Sequence, residues 1–195
     1  MVMDAEGTPS RTDGSGTFSV ATWNIRSGRN GGLESALRAL EQANVDLAFL
    51  TEAKLTGGIH TRRGSGYDVI ATNAMSKQRG GVALCYRKSD HFEVEETVKH
   101  GPNVMAFQLE TGRRRYYVVG AYLPPSDTTT INHVRLAWAQ CPKGCTPWLI
   151  GDLNVNLVHP QDERGEEIAE ECSHMGLSDM SRHFRPRRKR TSKGR

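Results

Sequence analysis

The chain has 195 residues, 36% of them hydrophobic and 25% charged, with a formal net charge of +4. That balance suits one folded domain with a sizeable core and excludes a chain too polar to collapse. No apolar run approaches the roughly 20 residues a bilayer-spanning helix needs, so no membrane role is expected.

Residues 1–16, "MVMDAEGTPSRTDGSG", lack the apolar centre of a signal peptide and read as a disordered lead-in. "TFSVATWN" (17–24) alternates and is rich in β-formers, so it predicts a strand. After a Gly-Gly break, "LESALRALEQA" (33–43) places Leu33, Ala36, Leu37, Leu40 and Ala43 at helical spacing, and "DLAFLTE" (46–52) is a second, buried strand. A β-α-β opening implies a parallel pair. "YDVIATN", "GVALCYR", "FEVEETV", "VMAFQLE" and "RYYVVGAYL" then follow with turn residues between them and no helical pattern, which predicts antiparallel neighbours. Residues 129–141 return to helical spacing through Ile131, Val134 and Trp138, "TPWLIGD" is a further strand, and 161–176 form a helix with acids in its first turns and Gly176 at its stop. Helices at both ends with strands between them predict two packed sheets flanked by helices.

Four cysteines, Cys85, Cys141, Cys145 and Cys172, carry no zinc-finger spacing and read as reduced, intracellular thiols. The charge is unevenly placed. Residues 182–195, "RHFRPRRKRTSKGR", hold eight of the 26 Lys and Arg and no acid, leaving 18 basic against 22 acidic residues, net −4, in the rest. A basic tail at 183–195 suits a polyanion or a nuclear import receptor, although charge alone equally allows a solvated tail.

"WLIGDLNVNL" (148–157) raises a chemical question, because an apolar strand gives way to Asp152 and Asn154. Two positions apart, the acid and the amide point the same way if the chain stays extended. Other strands end alike: Asn24 closes "ATWN", Glu52 closes "LAFLTE" and Tyr122 stands in "GAYLPP". Ligand sites in α/β folds gather at strand ends. Two carboxylates and two carboxamides on one rim suit a hard divalent cation with a phosphate partner. Each residue also has a plainer reading: an Asx-turn for Asn24, a solvated strand end for Glu52, a core tyrosine for Tyr122, a turn residue for Asp152. His133 and His159 read as structural or solvated.

The ordered set "TWNIRS", "LTEAKL", "AYLPP" and "GDLNVNL", with "QRGGVALCYR" and "LSDMSR", resembles the endonuclease/exonuclease/phosphatase superfamily over residues 17–182. Within it the chain is most similar to the endonuclease domain of non-LTR retrotransposons. The resemblance implies a four-layer α/β sandwich that cleaves phosphodiester bonds in DNA with magnesium, for which manganese could substitute. It implies Glu52 as the main metal ligand with Asn24 beside it, and Asp152 as the residue that orients or deprotonates the attacking water. Asn154 would position phosphate and water, and Tyr122 would steady phosphate oxygens. The family's later Asp and closing Asp-His pair have no counterpart; Asp179 matches a position before them. The domain is therefore expected to lack its last strands and to be weak or inactive by itself. A nuclear location follows from the tail and the DNA substrate; nothing in the sequence points to an oligomeric state. The alternatives are a non-catalytic nucleic-acid-binding remnant and a phosphatase branch of the same superfamily.

Overall fold

The computed structural model describes residues 18–56, 58–59, 66–76, 79–87, 93–112, 114–157 and 159–178. The lead-in, the basic tail and Asp179 lie outside the described residues. The chain divides into two compact units, residues 1–155 and 156–195.

The first unit opens with β1 (Val20–Asn24), α1 (Gly32–Gln42) and β2 (Leu47–Thr51). β1 and β2 are parallel, as the β-α-β reading requires. β3 (Gly58–Ile59), β4 (Tyr67–Ala71) and β5 (Val82–Arg87) complete a mixed sheet of order β1-β2-β5-β4-β3. β3 was not anticipated, because two residues are too few to show an alternation. A second mixed sheet runs β6 (Glu93–Lys99), β7 (Val104–Thr111), β8 (Arg114–Tyr122) and β9 (Thr146–Asp152), with α2 (Thr130–Ala139) between β8 and β9. The β6-β7-β8 pairings are antiparallel and β8-β9 is parallel. Each sheet thus combines an antiparallel meander with one parallel pair whose crossover contains a helix.

Strand alternation separates two cores. Leu47 and Phe49 of β2, with Val82 and Leu84 of β5, face the second sheet and pack with its Met105, Phe107, Leu109 and Val118. Ala48 and Leu50 face the other way, against Leu33, Ala36, Leu37 and Leu40 of α1. The Phe49 ring occupies the space above Gly120 in β8, where an added Cβ would lie 2.0 Å from the ring. Glycine at 120 therefore serves inter-sheet packing rather than a turn. α2 buries Ile131, Val134 and Ala137 and packs against β7 and β8. Helix, sheet, sheet and helix form the layers of an α/β sandwich.

β9 differs from the buried strand that its apolar run predicts. Trp148, Leu149 and Ile150 are half-buried, because β9 is an edge of its sheet among the described residues. β1 is likewise an edge and contacts β9. Phe18 and Tyr116 flank Trp148, with centroids 6.0 and 4.4 Å away, and close the sandwich on that side.

In the second unit, α3 (Glu163–His174) starts at Asp162, whose Oδ1 accepts the Gly165 N–H at 2.7 Å. Glu163 and Glu166 sit in its first turn, favourably placed in the helix dipole. Ile168 and Cys172 are buried, and Gly176 follows the helix at φ 70°, the left-handed stop that glycine adopts without strain.

Candidate active site

The two parallel pairs bring four polar residues to one level. Asn24 stands opposite Thr51, the residue before Glu52, and Tyr122 stands opposite Asp152. β9 ends at Asp152, where the reading of "TPWLIGD" as a strand places its end. Gly151 has φ 138°, and a Cβ there would fall 1.8 Å from the Ala121 carbonyl oxygen. Glycine alone lets β9 approach β8 closely enough to carry Asp152 to the rim.

Asn24 joins the two sheets. Its Nδ2 donates to Glu52 Oε1 at 2.8 Å and to Asp152 Oδ2 at 3.0 Å. Its Oδ1 accepts the Arg26 N–H at 3.0 Å, so the Asx-turn reading and the site reading hold together, one at each end of the amide. Tyr122 donates to the same Glu52 oxygen at 3.0 Å. Glu52 Oε2 lies 3.4 Å from Lys54 Nζ.

Asn154 does not join this cluster through its side chain. The chain turns left-handed at Asn154, φ 52°, so the extended conformation that would align it with Asp152 does not persist. Its Nδ2 donates instead to the Leu123 carbonyl at 3.0 Å, and its backbone N–H donates to Asp152 Oδ1 at 3.1 Å. Asn154 thus orients the Asp152 carboxylate with its main chain.

Of the six non-glycine residues with positive φ among the described residues, four flank the cluster: Arg26, Glu52, Lys54 and Asn154. For residues such as Glu and Lys this conformation costs on the order of 1 kcal/mol and persists where the surroundings impose it. The surroundings here are the loop between β4 and β5. Gly81 O accepts the Ala53 N–H at 2.9 Å, Gly80 O accepts the Lys54 N–H at 3.1 Å, and Ala74 donates to Leu55 O at 3.1 Å. The Gly81 N–H is itself taken by Asn103 Oδ1 at 3.1 Å. "RGGV" therefore braces the segment that carries Glu52. Lys54 and this brace escaped sequence reasoning; a lysine two residues past a strand-end acid was the available signal.

Electrostatics set two protonation states. Burial pushes the Glu52 carboxyl up, but hydrogen bonds from Asn24, Tyr122 and Lys54 outweigh it and hold the group below its ordinary value. Burial, then the Glu52 and Asp152 carboxylates, push the Tyr122 hydroxyl up to about 12. The site therefore presents a carboxylate and a phenol that keeps its proton. The described residues hold no group of three or more His, Cys, Asp and Glu side chains placed for a metal ion. The two carboxylates are nonetheless hard oxygen donors of the kind magnesium uses, since that ion keeps several waters and takes one or two carboxylates; the Asn24 amide turns its nitrogen to them and its oxygen to the Arg26 N–H. The donor chemistry fits such an ion.

His133 packs its ring against Gly101, on the loop between β6 and β7, and is not hydrogen-bonded to the cluster. His159 is exposed in the second unit, its N–H bonded to Asn156 Oδ1 at 3.1 Å. Cys85 and Cys172 are buried thiols; Cys141 and Cys145 are half-buried, and none forms a disulfide.

The two mixed sheets with their helices share the endonuclease/exonuclease/phosphatase fold with the solved structures that they resemble. The chain is similar to the endonuclease domain of TRAS1, a telomere-specific non-LTR retrotransposon, at 14% identity and a TM-score of 0.63 over 83% of this chain and 73% of that one. It is similar to an AP endonuclease from Archaeoglobus fulgidus, at 16% identity and a TM-score of 0.58 over 86% and 74%. A 3'-5' exonuclease (NExo) from Neisseria Meningitidis gives 17% identity and a TM-score of 0.58 over 86% and 75%. No protein-family model and no curated protein sequence matches the chain.

Proposed function

We propose that this chain is a nuclease-type domain that hydrolyses phosphodiester bonds in DNA with magnesium or manganese, and that it derives from a retroelement. The observation that carries the reading is the single Asn24 amide bonded to both Glu52 and Asp152, carboxylates delivered by different sheets. That its structural neighbours include two endonucleases and an exonuclease supports the choice of polynucleotide over a small phosphate ester.

Glu52 would hold the ion, joined by Asn24 once its amide turns its oxygen from the Arg26 N–H; when bound, the ion lowers the pKa of water and neutralises charge on a phosphate oxygen. Asp152, held by the Asn24 amide and the Asn154 N–H, orients the attacking water and accepts its proton as the new P–O bond forms. Tyr122 keeps its proton and so remains a donor, to Glu52 or to a phosphate oxygen. The leaving oxygen also needs a proton when its bond to phosphorus breaks. No histidine is bonded to Glu52 or Asp152 among the described residues of the first unit. Positioned acid–base help is worth about 10²–10⁴ in rate, so these residues by themselves should cleave slowly.

The test is nicking of supercoiled plasmid at high protein concentration, with magnesium and with EDTA. Slow, magnesium-dependent nicking that is lost in both Glu52→Gln and Asp152→Asn supports the reading. DNA binding without metal-dependent nicking would favour the binding remnant. Release of inorganic phosphate from small esters, with DNA untouched, would favour the phosphatase branch.

A further inference from the structure

The two oxygens of Glu52 face different chemistry. Oε1 is saturated by two neutral donors, the Asn24 amide at 2.8 Å and the Tyr122 hydroxyl at 3.0 Å. Oε2 meets the Lys54 ammonium at 3.4 Å. The pair is sheltered, with side-chain exposures of 18% for Lys54 and 24% for Glu52. Both residues stand at φ 52°, and the Lys54 N–H is tied to Gly80 O at 3.1 Å, so the backbone fixes where the lysine stem begins. An ammonium is a compact point charge on a flexible stem, able to leave a carboxylate without disturbing that backbone.

We infer that Lys54 is the resident counter-ion of the metal-facing oxygen of Glu52 and competes with the divalent cation for it. The inference rests on the metal reading of the site. With no cation bound, the ammonium offsets the charge of Glu52 beside Asp152 and keeps the two carboxylates compatible. A cation taking Oε2 must displace that ammonium and tolerate a positive charge nearby. Lys54 therefore weakens cation binding while stabilising the cation-free site. The displaced ammonium remains on the rim where a phosphate oxygen would sit, a partner that lysine binds as a point charge. Metal would then be held most firmly when substrate is present to receive the lysine.

Isothermal titration of the full chain with manganese, and separately with magnesium, tests this without reference to activity. Lys54→Met keeps the stem and removes the charge; it should tighten cation binding about three- to tenfold, the range expected for losing a sheltered ion pair and a nearby like charge. Lys54→Arg keeps the charge, and its fork can hold the carboxylate at least as firmly, so cation binding should be no tighter than in the wild type. A short phosphodiester oligonucleotide bound to the wild type should tighten cation binding, and should do so less in Lys54→Met. Unchanged or weaker cation binding in Lys54→Met, with normal binding by the wild type, overturns the role of Lys54 and leaves the metal site standing. Absence of binding in the wild type, or binding that survives Glu52→Gln, overturns the metal site and the inference with it. Circular dichroism melting of each variant without metal separates these outcomes from misfolding.

Discussion

Glu52 and Asp152, a hundred positions apart in sequence and carried by different sheets, accept hydrogen bonds from one nitrogen, the Nδ2 of Asn24. The neutral amide is the group that lets two carboxylates share a rim. Asn24→Asp keeps an acceptor for the Arg26 N–H but removes the donor and adds a third negative charge. Hydrogen bonds to charged groups contribute about 1.5–3 kcal/mol where they are protected, and partial exposure reduces that here. Without metal the variant should be less stable by about 1–2 kcal/mol, read as a lower urea midpoint at unchanged slope. Magnesium should raise its melting temperature by more than it raises the wild type's, because the added charge is then neutralised. Equal stability of the two proteins in EDTA would mean that the amide does not bridge the sheets in solution.

Glu52 makes the site pH-dependent with a definite sign. Its folded-state pKa lies below the ordinary value of 4.5, burial notwithstanding, because Asn24, Tyr122 and Lys54 donate to the carboxylate. A depressed carboxyl contributes stability that is complete above 4.5 and is lost as the pH falls through the folded value. Carbon-13 titration of the Glu52 carboxyl, without metal, should place its midpoint below 4.5, and Tyr122→Phe should move it up. A midpoint indifferent to Tyr122→Phe would show that the phenol does not donate to Glu52.

Much of this was legible in the sequence, and the exceptions share a cause. Alternation and helical spacing mark β1, α1, β2 and the meander because a strand or helix that buries one face must repeat with a fixed period. The same logic isolates Asn24, Glu52, Tyr122 and Asp152 as polar residues at ends of apolar runs. It does not reach Asn154, whose direction depends on a left-handed turn, nor Lys54, whose importance depends on which Glu52 oxygen is left for it. Nor does it tell an edge strand from a central one: Trp148-Leu149-Ile150 is equally apolar in either place, and pairing partners decide. Composition identifies types of surface, whereas register and backbone sign fix the geometry of a site.

Gly151 offers a direct test of how the rim is assembled. A methyl group at this position meets the Ala121 carbonyl oxygen at 1.8 Å, and the φ of 138° is one that L side chains rarely adopt. Gly151→Ala should lower stability by about 1–3 kcal/mol or more, the cost of a strained backbone, and should displace Asp152 from Asn24. The melting temperature should fall and the magnesium-induced shift should shrink. Gly112→Ala is the control: φ is 58° there, but an added Cβ meets nothing within 4 Å, so it should carry the backbone cost without loss of the metal response. A full metal response in Gly151→Ala would show that Asp152 needs no close approach of β9.

The charge distribution yields the last prediction. Outside residues 182–195 the chain carries 18 basic and 22 acidic residues, so the rest of the protein has net charge −4 and no electrostatic attraction for DNA as a whole. The tail carries eight of the 26 Lys and Arg. Binding to duplex DNA releases about 0.9 counterion for each phosphate neutralised, so the slope of log affinity against log salt counts the contacts made. If the tail supplies them, deleting residues 182–195 should weaken binding and flatten the slope by several units. Affinity should vary little with sequence, since Arg and Lys on phosphates position a protein without reading base edges. Fluorescence anisotropy with a labelled duplex between about 50 and 200 mM salt measures both quantities. The deletion leaves Glu52, Asn24 and Asp152 in place, so the magnesium shift in melting temperature should survive it. An unchanged slope after deletion would locate the phosphate contacts in the folded part of the chain and require a local basic surface within a body of net negative charge.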